Sequence, residues 1–226
     1  MYSAILLSGG KGKRMMKDIP KTYLLLAGKP IIMHSLERLD RLNQINEIVI
    51  VCEEEYEGHI RLMLKQYNIE TTVKFSKAGS TRQESVYNGI LSVTNENVIV
   101  HEAARPFVTE NDFVNLFNET EPNAILGYPI PFTVIKGDES VTDILERSDL
   151  VNVQLPQKFS TALLKEAHKK AIKEGKVFTE DASLLFHYCG TTIKIIKGND
   201  YNIKITEPID LLIGEIIYKE YIVRRK

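Results

Sequence analysis

Apolar positions along this chain fall into two alternating rhythms. Short aliphatic or β-branched runs at Ala4-Ile5-Leu6-Leu7, Glu47–Val51, Thr71–Phe75, Asn97–Val100 and Thr192–Ile196 predict strands. Between them, Pro30–Leu42 carries Ile31, Ile32, Leu36, Leu39 and Leu42 at helical spacing. Tyr56–Tyr67 repeats that period through Ile60, Met63 and Leu64, and Arg82–Val93 through Val86, Ile90 and Leu91. Helical patterns return at Thr161–Lys173 and Thr179–Tyr188. Glu207-Pro208 opens a last helix, with proline in the first turn and an acid at its positive end. Continuously apolar strands separated by helices predict an α/β fold, Rossmann-like, with a mostly parallel sheet covered by helices on both faces. Right-handed crossovers then gather the strand C-termini along one edge, where ligands bind.

The rhythm breaks between residues 128 and 150. Pro129, Pro131, Gly137 and Asp138 precede Val141, Ile144 and Leu145, which reads as an inserted β-arm and not another strand–helix unit. The 226 residues are expected to form one domain, with 128–150 as its arm.

Composition adds exclusions. Apolar residues make up 43% and charged residues 26%, ordinary for a globular protein. Twenty-nine basic residues against thirty acidic ones leave a net charge of −1, which argues against a nucleic-acid coat but allows one local cationic pocket. No apolar run approaches the ~20 residues of a membrane helix. The N-terminus lacks the basic start of a signal peptide and reaches Gly9 too early. Cys52 and Cys189 are isolated, so both are expected to be buried thiols of a cytoplasmic protein, not a disulfide or a zinc site.

Candidate chemistry begins after the first strand, at Ser8-Gly9-Gly10-Lys11-Gly12-Lys13-Arg14. Clustered glycines let backbone N–H groups approach an anion, and Lys11, Lys13 and Arg14 add charge. A phosphate-binding turn is one reading, and a flexible turn with solvated lysines the other. A dinucleotide fingerprint would need glycine where Met15 stands, and a P-loop would need Gly-Lys-Ser/Thr. Pro20-Lys21 and Gly28-Lys29-Pro30 follow. This opening resembles that of the sugar-phosphate nucleotidyltransferases.

Further segments narrow the resemblance. They are Gly79-Ser80-Thr81-Arg82-Gln83-Glu84-Ser85-Val86, His101-Glu102-Ala103-Ala104-Arg105-Pro106, Gln154-Leu155-Pro156-Gln157, Thr179-Glu180-Asp181-Ala182 and Asn202-Ile203-Lys204-Ile205-Thr206. Collinear over nearly the whole chain, they resemble the methylerythritol phosphate cytidylyltransferase family and the related ribitol phosphate cytidylyltransferases. The resemblance implies transfer of CMP from CTP to a polyol phosphate, releasing pyrophosphate. It assigns catalytic roles to Arg14, Lys21 and Lys204. Nucleotide contacts fall on Ser8, Gly9, Gly10, Gly12, Gly79, Ser80, Ser85, Glu102 and Ala103. Acceptor contacts fall on Arg147, Thr133, Glu102 and Lys204. Mg²⁺ is implied, held mainly by phosphate oxygens without a dedicated protein ligand. A homodimer is implied too, with arm exchange bringing Arg147 to the neighbour's site.

Four positions depart from the family wording: Glu102 and Thr133 each replace an aspartate, and Val134 and Leu155 each replace a threonine that the family places on the acceptor side. Two acceptors therefore stand: methylerythritol phosphate, on the route to isoprenoid precursors, and ribitol phosphate or another polyol or sugar phosphate, on the route to CDP-activated polymers.

Overall fold

The computed structural model describes residues 1–9 and 19–223. The chain starts with β1 (Tyr2–Leu7). After the glycine-rich segment, a 3-10 turn at Lys21–Tyr23 leads into a small hairpin, β2 (Leu25–Leu26) and β3 (Lys29–Pro30). Helix α1 (Ile31–Asp40), β4 (Ile45–Cys52), α2 (Glu54–Gln66), β5 (Thr72–Lys77), α3 (Arg82–Ile90) and β6 (Asn97–Glu102) complete the first half. Then come α4 (Glu110–Asn118) and β7 (Ala124–Pro129), followed by a two-stranded antiparallel hairpin of β8 (Ile135–Gly137) and β9 (Val141–Ile144). The chain returns through β10 (Val151–Ser160), α5 (Thr161–Glu174), α6 (Asp181–Cys189), β11 (Lys194–Lys197) and α7 (Pro208–Ile217).

Among the described residues the main sheet has seven strands, ordered β11-β7-β10-β6-β1-β4-β5. β1 pairs in parallel with β4 and β6, and β4 with β5, while β10 runs antiparallel to both β6 and β7. The mostly parallel sheet read from the sequence is therefore present, with β10 as its reversed member. The alternation of strand side chains divides the core in two. Ala4 and Leu6 of β1 face a cluster with Met33, Leu36, Ile60 and Phe113 from α1, α2 and α4. Ile5 and Leu7 face a second cluster with Val86, Leu164 and Leu185 from α3, α5 and α6. A smaller cluster of Leu26, Ile31, Phe107 and Ile217 seats α7 against the hairpin and α1.

Local signals explain several boundaries. Thr81 caps α3 by accepting from the Glu84 amide at 3.1 Å. Gly175, at φ +66°, closes α5 in the left-handed conformation. Pro208 stands in the first turn of α7, and Asp210 accepts from the Glu207 amide at 2.8 Å. The alternating stretch 201–206 is not a strand. It is an irregular loop tied down where the Ile205 amide donates to the Ala104 carbonyl at 2.8 Å. Cys52 is buried, and burial pushes its thiol up to about 11, but Cys189 is only partly buried.

Candidate active site

The C-terminal ends of β1 and β6 open into a cavity of about 470 Å³. Its lining comes from six parts of the chain: Gly9 after β1, Lys21 and Thr22 before the hairpin, Glu53 after β4, Gly79–Arg82 and Ser85 at the start of α3, Glu102 and Ala104 at the end of β6, and Lys204 before α7. Two glycines shape the flanks. A Cβ on Gly9 would lie 2.7 Å from the Cβ of Ala78, and one on Gly79 would lie 2.5 Å from Glu84. Both turns can therefore close only without a side chain.

The first turn of α3 is tightly wired. The Gly79 amide donates to Ser85 Oγ at 2.9 Å, and Ser85 Oγ donates to the Thr81 carbonyl at 3.0 Å. Glu84 Oε2 accepts from both the amide and the hydroxyl of Ser80, at 2.7 and 2.6 Å. The Ser85 hydroxyl, expected to await a ligand, thus holds the loop that would face one.

Glu102 lies at the centre of the electrostatics. Its Oε1 accepts from Arg82 Nε at 3.0 Å, and its Oε2 lies 2.7 Å from Lys204 Nζ. Burial pushes the Glu102 carboxyl up, but the charges of Lys204 and Arg82 outweigh it and hold the group near 2. Behind it, burial lowers His101 to about 3, with the Arg105 charge in support, so that ring is neutral. Arg105 Nη1 donates to the Asn202 carbonyl at 2.9 Å, and Asn202 Nδ2 donates to the Leu155 carbonyl at 2.8 Å. This bridge fixes the loop that presents Lys204.

Of the expected residues, Gly9, Lys21, Gly79, Ser80, Ser85, Glu102 and Lys204 converge on the cavity. Gly10, Gly12 and Arg14 lie outside the described residues. Two of the expected nucleotide contacts are not in the cavity lining. Ser8 is buried, its hydroxyl donating to Thr22 Oγ1 at 3.2 Å, so Thr22 takes its place on the wall. Ala103 is fully buried in the core and its amide donates to the Leu7 carbonyl at 3.0 Å; its neighbour Ala104 lines the cavity instead. Leu155, read as an acceptor-side position, is 3% exposed and packs in the core beside Phe159. Thr133 and Arg147 belong to the exposed arm region; Arg147 Nη1 donates to the Pro131 carbonyl at 3.3 Å and lines a separate depression with Pro129 and Leu150. Within one chain they do not join the cavity. Sequence reading gave no role to Thr22, Glu53, Thr81 or Arg82, which also line it. Arg82 stood in a quoted motif, but nothing in its spacing disclosed a buried ion pair.

Among the described residues, no group of three or more His, Cys, Asp or Glu side chains converges on a possible metal position. No described helix is long and apolar enough to cross a membrane.

A doubly wound sheet with glycine turns at its strand ends and two lysines on nearby loops is the framework of a nucleotide-handling enzyme, and here the class is nucleotidyltransferase. The model of the family 2-C-methyl-D-erythritol 4-phosphate cytidylyltransferase (IspD) matches residues 2–220, and the chain belongs to that family. The enzyme of that name from Bacillus thuringiensis (strain Al Hakam) is 38% identical over 219 residues, covering 95% of this chain and 96% of its own. The chloroplastic enzyme of Oryza sativa subsp. japonica is 35% identical over 224 residues, covering 96% and 74%. The crystal structure of the Thermus thermophilus cytidylyltransferase superposes with a TM-score of 0.78 at 26% identity, over 97% of this chain and 100% of that one. The 4-diphosphocytidyl-2C-methyl-D-erythritol synthase of Anaerococcus prevotii shares the fold with a TM-score of 0.86 at 24% identity, over 97% and 96%.

Proposed function

We propose that the enzyme transfers CMP from CTP to 2-C-methyl-D-erythritol 4-phosphate. An acceptor phosphate oxygen attacks the α-phosphorus; the new P–O bond forms as the bond to the β-phosphate oxygen breaks, and pyrophosphate leaves. The carrying observation is that Lys21 and Lys204, remote in sequence, line one cavity together with Gly9 and Gly79. The nucleophile is already an anion, so no strong base is required. Lys21, Lys204 and Arg14 neutralise charge on the reacting phosphates, and the glycine turns position the nucleotide.

Mg²⁺ is the metal we assign. Glu102 is committed to Arg82 and Lys204, which suits an ion carried by phosphate oxygens and water rather than a protein cage. When bound, it supplies further charge neutralisation to the triphosphate. The working form is a homodimer with arm exchange. Phe132 and Ile144 of the arm region are 77% and 85% exposed, an apolar surface that a partner's face would cover.

The test is pyrophosphate release from CTP with Mg²⁺, screening methylerythritol, ribitol, erythritol and glycerol phosphates. Turnover with methylerythritol phosphate is expected. Preference for ribitol phosphate would replace the acceptor, and no release with any of them would end the activity assignment. Family membership favours methylerythritol phosphate over ribitol phosphate.

A further inference from the structure

Arg82 and Asp181 stand in the Arg-x-x-Ser-Val and Thr-Glu-Asp-Ala segments, yet the transfer described above uses neither. They join in the fold. Arg82, at the start of α3, lies between carboxylates from two other elements: its Nε is 3.0 Å from Glu102 Oε1 and its Nη1 is 2.7 Å from Asp181 Oδ2. Asp181, buried at the start of α6, also lies 3.4 Å from His168 Nε2 of α5. With Lys204 on the far oxygen of Glu102, alternating charges run from α6 through α3 and β6 into the cavity.

The two cations on Glu102 are not equivalent. The Arg82 side chain is 22% exposed, and a second carboxylate holds it from behind. The Lys204 side chain is 36% exposed, sits on an irregular loop, and among the described residues forms an ion pair with Glu102 alone. A planar guanidinium can serve two carboxylates at fixed geometry, whereas a lysine amine swings on a flexible stem. If a phosphate competes for one of them, Lys204 is the cation that can turn. Were it the sole partner of Glu102, its departure would strand a buried carboxylate, an expensive state.

We propose that Arg82, anchored by Asp181, is a positioning residue for Lys204. It keeps Glu102 in place and charge-balanced, so Lys204 is parked at the cavity when the site is empty and passes to phosphate without abandoning a buried anion. This role rests on the transfer reaction proposed above.

Glu102 is faced by Lys204 from the loop before α7, Arg82 from α3 and Arg105 just beyond β6. Lys21 and Glu53 line the same cavity, Glu180 and Asp181 flank Arg82, and neighbouring His101 is neutral. Removing Arg82 therefore takes away one of the nearest positive charges, and the Glu102 carboxyl should rise by about 1–3 pH units.

The experiment uses the full chain as wild type, Arg82→Gln, Arg82→Lys and Asp181→Asn. The Glu102 carboxyl is titrated by ¹³C NMR, assigned by its loss in Glu102→Gln, and kcat and KM for CTP are measured from pH 5 to 9. Arg82→Gln should raise the Glu102 titration and lower kcat about tenfold or more, with KM for CTP within threefold and the deficit deepening towards pH 5. Arg82→Lys should restore the titration. Asp181→Asn, a change outside the cavity lining, should lower kcat in the same sense. An unmoved Glu102 titration in Arg82→Gln, or a kcat loss in Asp181→Asn that merely follows the folded fraction by circular dichroism, would overturn the proposal. Should Arg82→Gln not fold, Arg82→Lys and Asp181→Asn decide it. If wild type transfers to no acceptor, the reaction assignment fails, while the titration still decides the positioning role.

Discussion

At the scale of single residues, charge governs the site and backbone clearance shapes it. Lys21→Ala should lower kcat by about 10²–10³-fold, as removal of other preorganised charge contacts does, measured by pyrophosphate release. Gly79→Val drives a side chain into Glu84, which holds Ser80, so CTP affinity should fall about tenfold by calorimetry while the fold survives. Protonation acts on the buried pair at the end of β6. His101 has its value lowered from 6.5 to about 3, and Glu102 from 4.5 to about 2. Each binds its proton more readily in the unfolded chain. Their contributions are complete above the unfolded values and are lost as pH falls towards the folded ones. Melting temperature should therefore decline below about pH 6.5. His101→Gln should flatten the upper part of that decline and Glu102→Gln the lower part.

At the scale of elements, the site depends on how strand and helix ends are held. Thr81→Ala removes the α3 cap and should cost about 1 kcal/mol in urea unfolding, loosening the Gly79–Ser85 turn. Position 155 separates the two views of the acceptor pocket. Leu155 packs in the core within β10, so restoring the family threonine exchanges buried methyl groups for a hydroxyl. Leu155→Thr should lose about 2 kcal/mol of stability and leave the acceptor KM unchanged. A shifted KM at unchanged stability would return this position to the acceptor side.

At the scale of the whole molecule, the cavity gathers Gly9, Glu102 and Lys204 from opposite ends of the chain, but not Arg147 or Thr133. In the proposed homodimer, the arm of a second copy supplies the acceptor side. Introducing charge on the arm, as Phe132→Asp with Ile144→Asp, should shift sedimentation from dimer to monomer and raise the acceptor KM more than the CTP KM. A dimer that persists with normal acceptor kinetics would remove the arm from the site.

Much of this protein could be read from its residues in order. The apolar runs of β1, β4 and β6 are continuous because a parallel sheet is covered on both faces, which makes such strands conspicuous. Lys21, Glu102, Lys204 and the glycine turns were legible because their segments resemble the motifs of a cytidylyltransferase family. The strand β10 did not stand out: its run includes Gln154, Gln157 and Lys158, polar side chains buried in the fold, with Gln154 and Lys158 held by partners remote in sequence. Nor did α4, a nine-residue helix whose capping-box threonine and aspartate read equally well as a turn. The sequence by itself determined the fold class and pointed to Lys21 and Lys204, because the first follows from local pattern and the second from short motifs, but it left Arg82 unread. Only the tertiary structure decided that Ser8, Ala103 and Leu155 turn away from the cavity, and that Arg82 and Asp181 stand behind Glu102. Those outcomes depend on which faces and charges meet across the sheet, and chain order carries no distances.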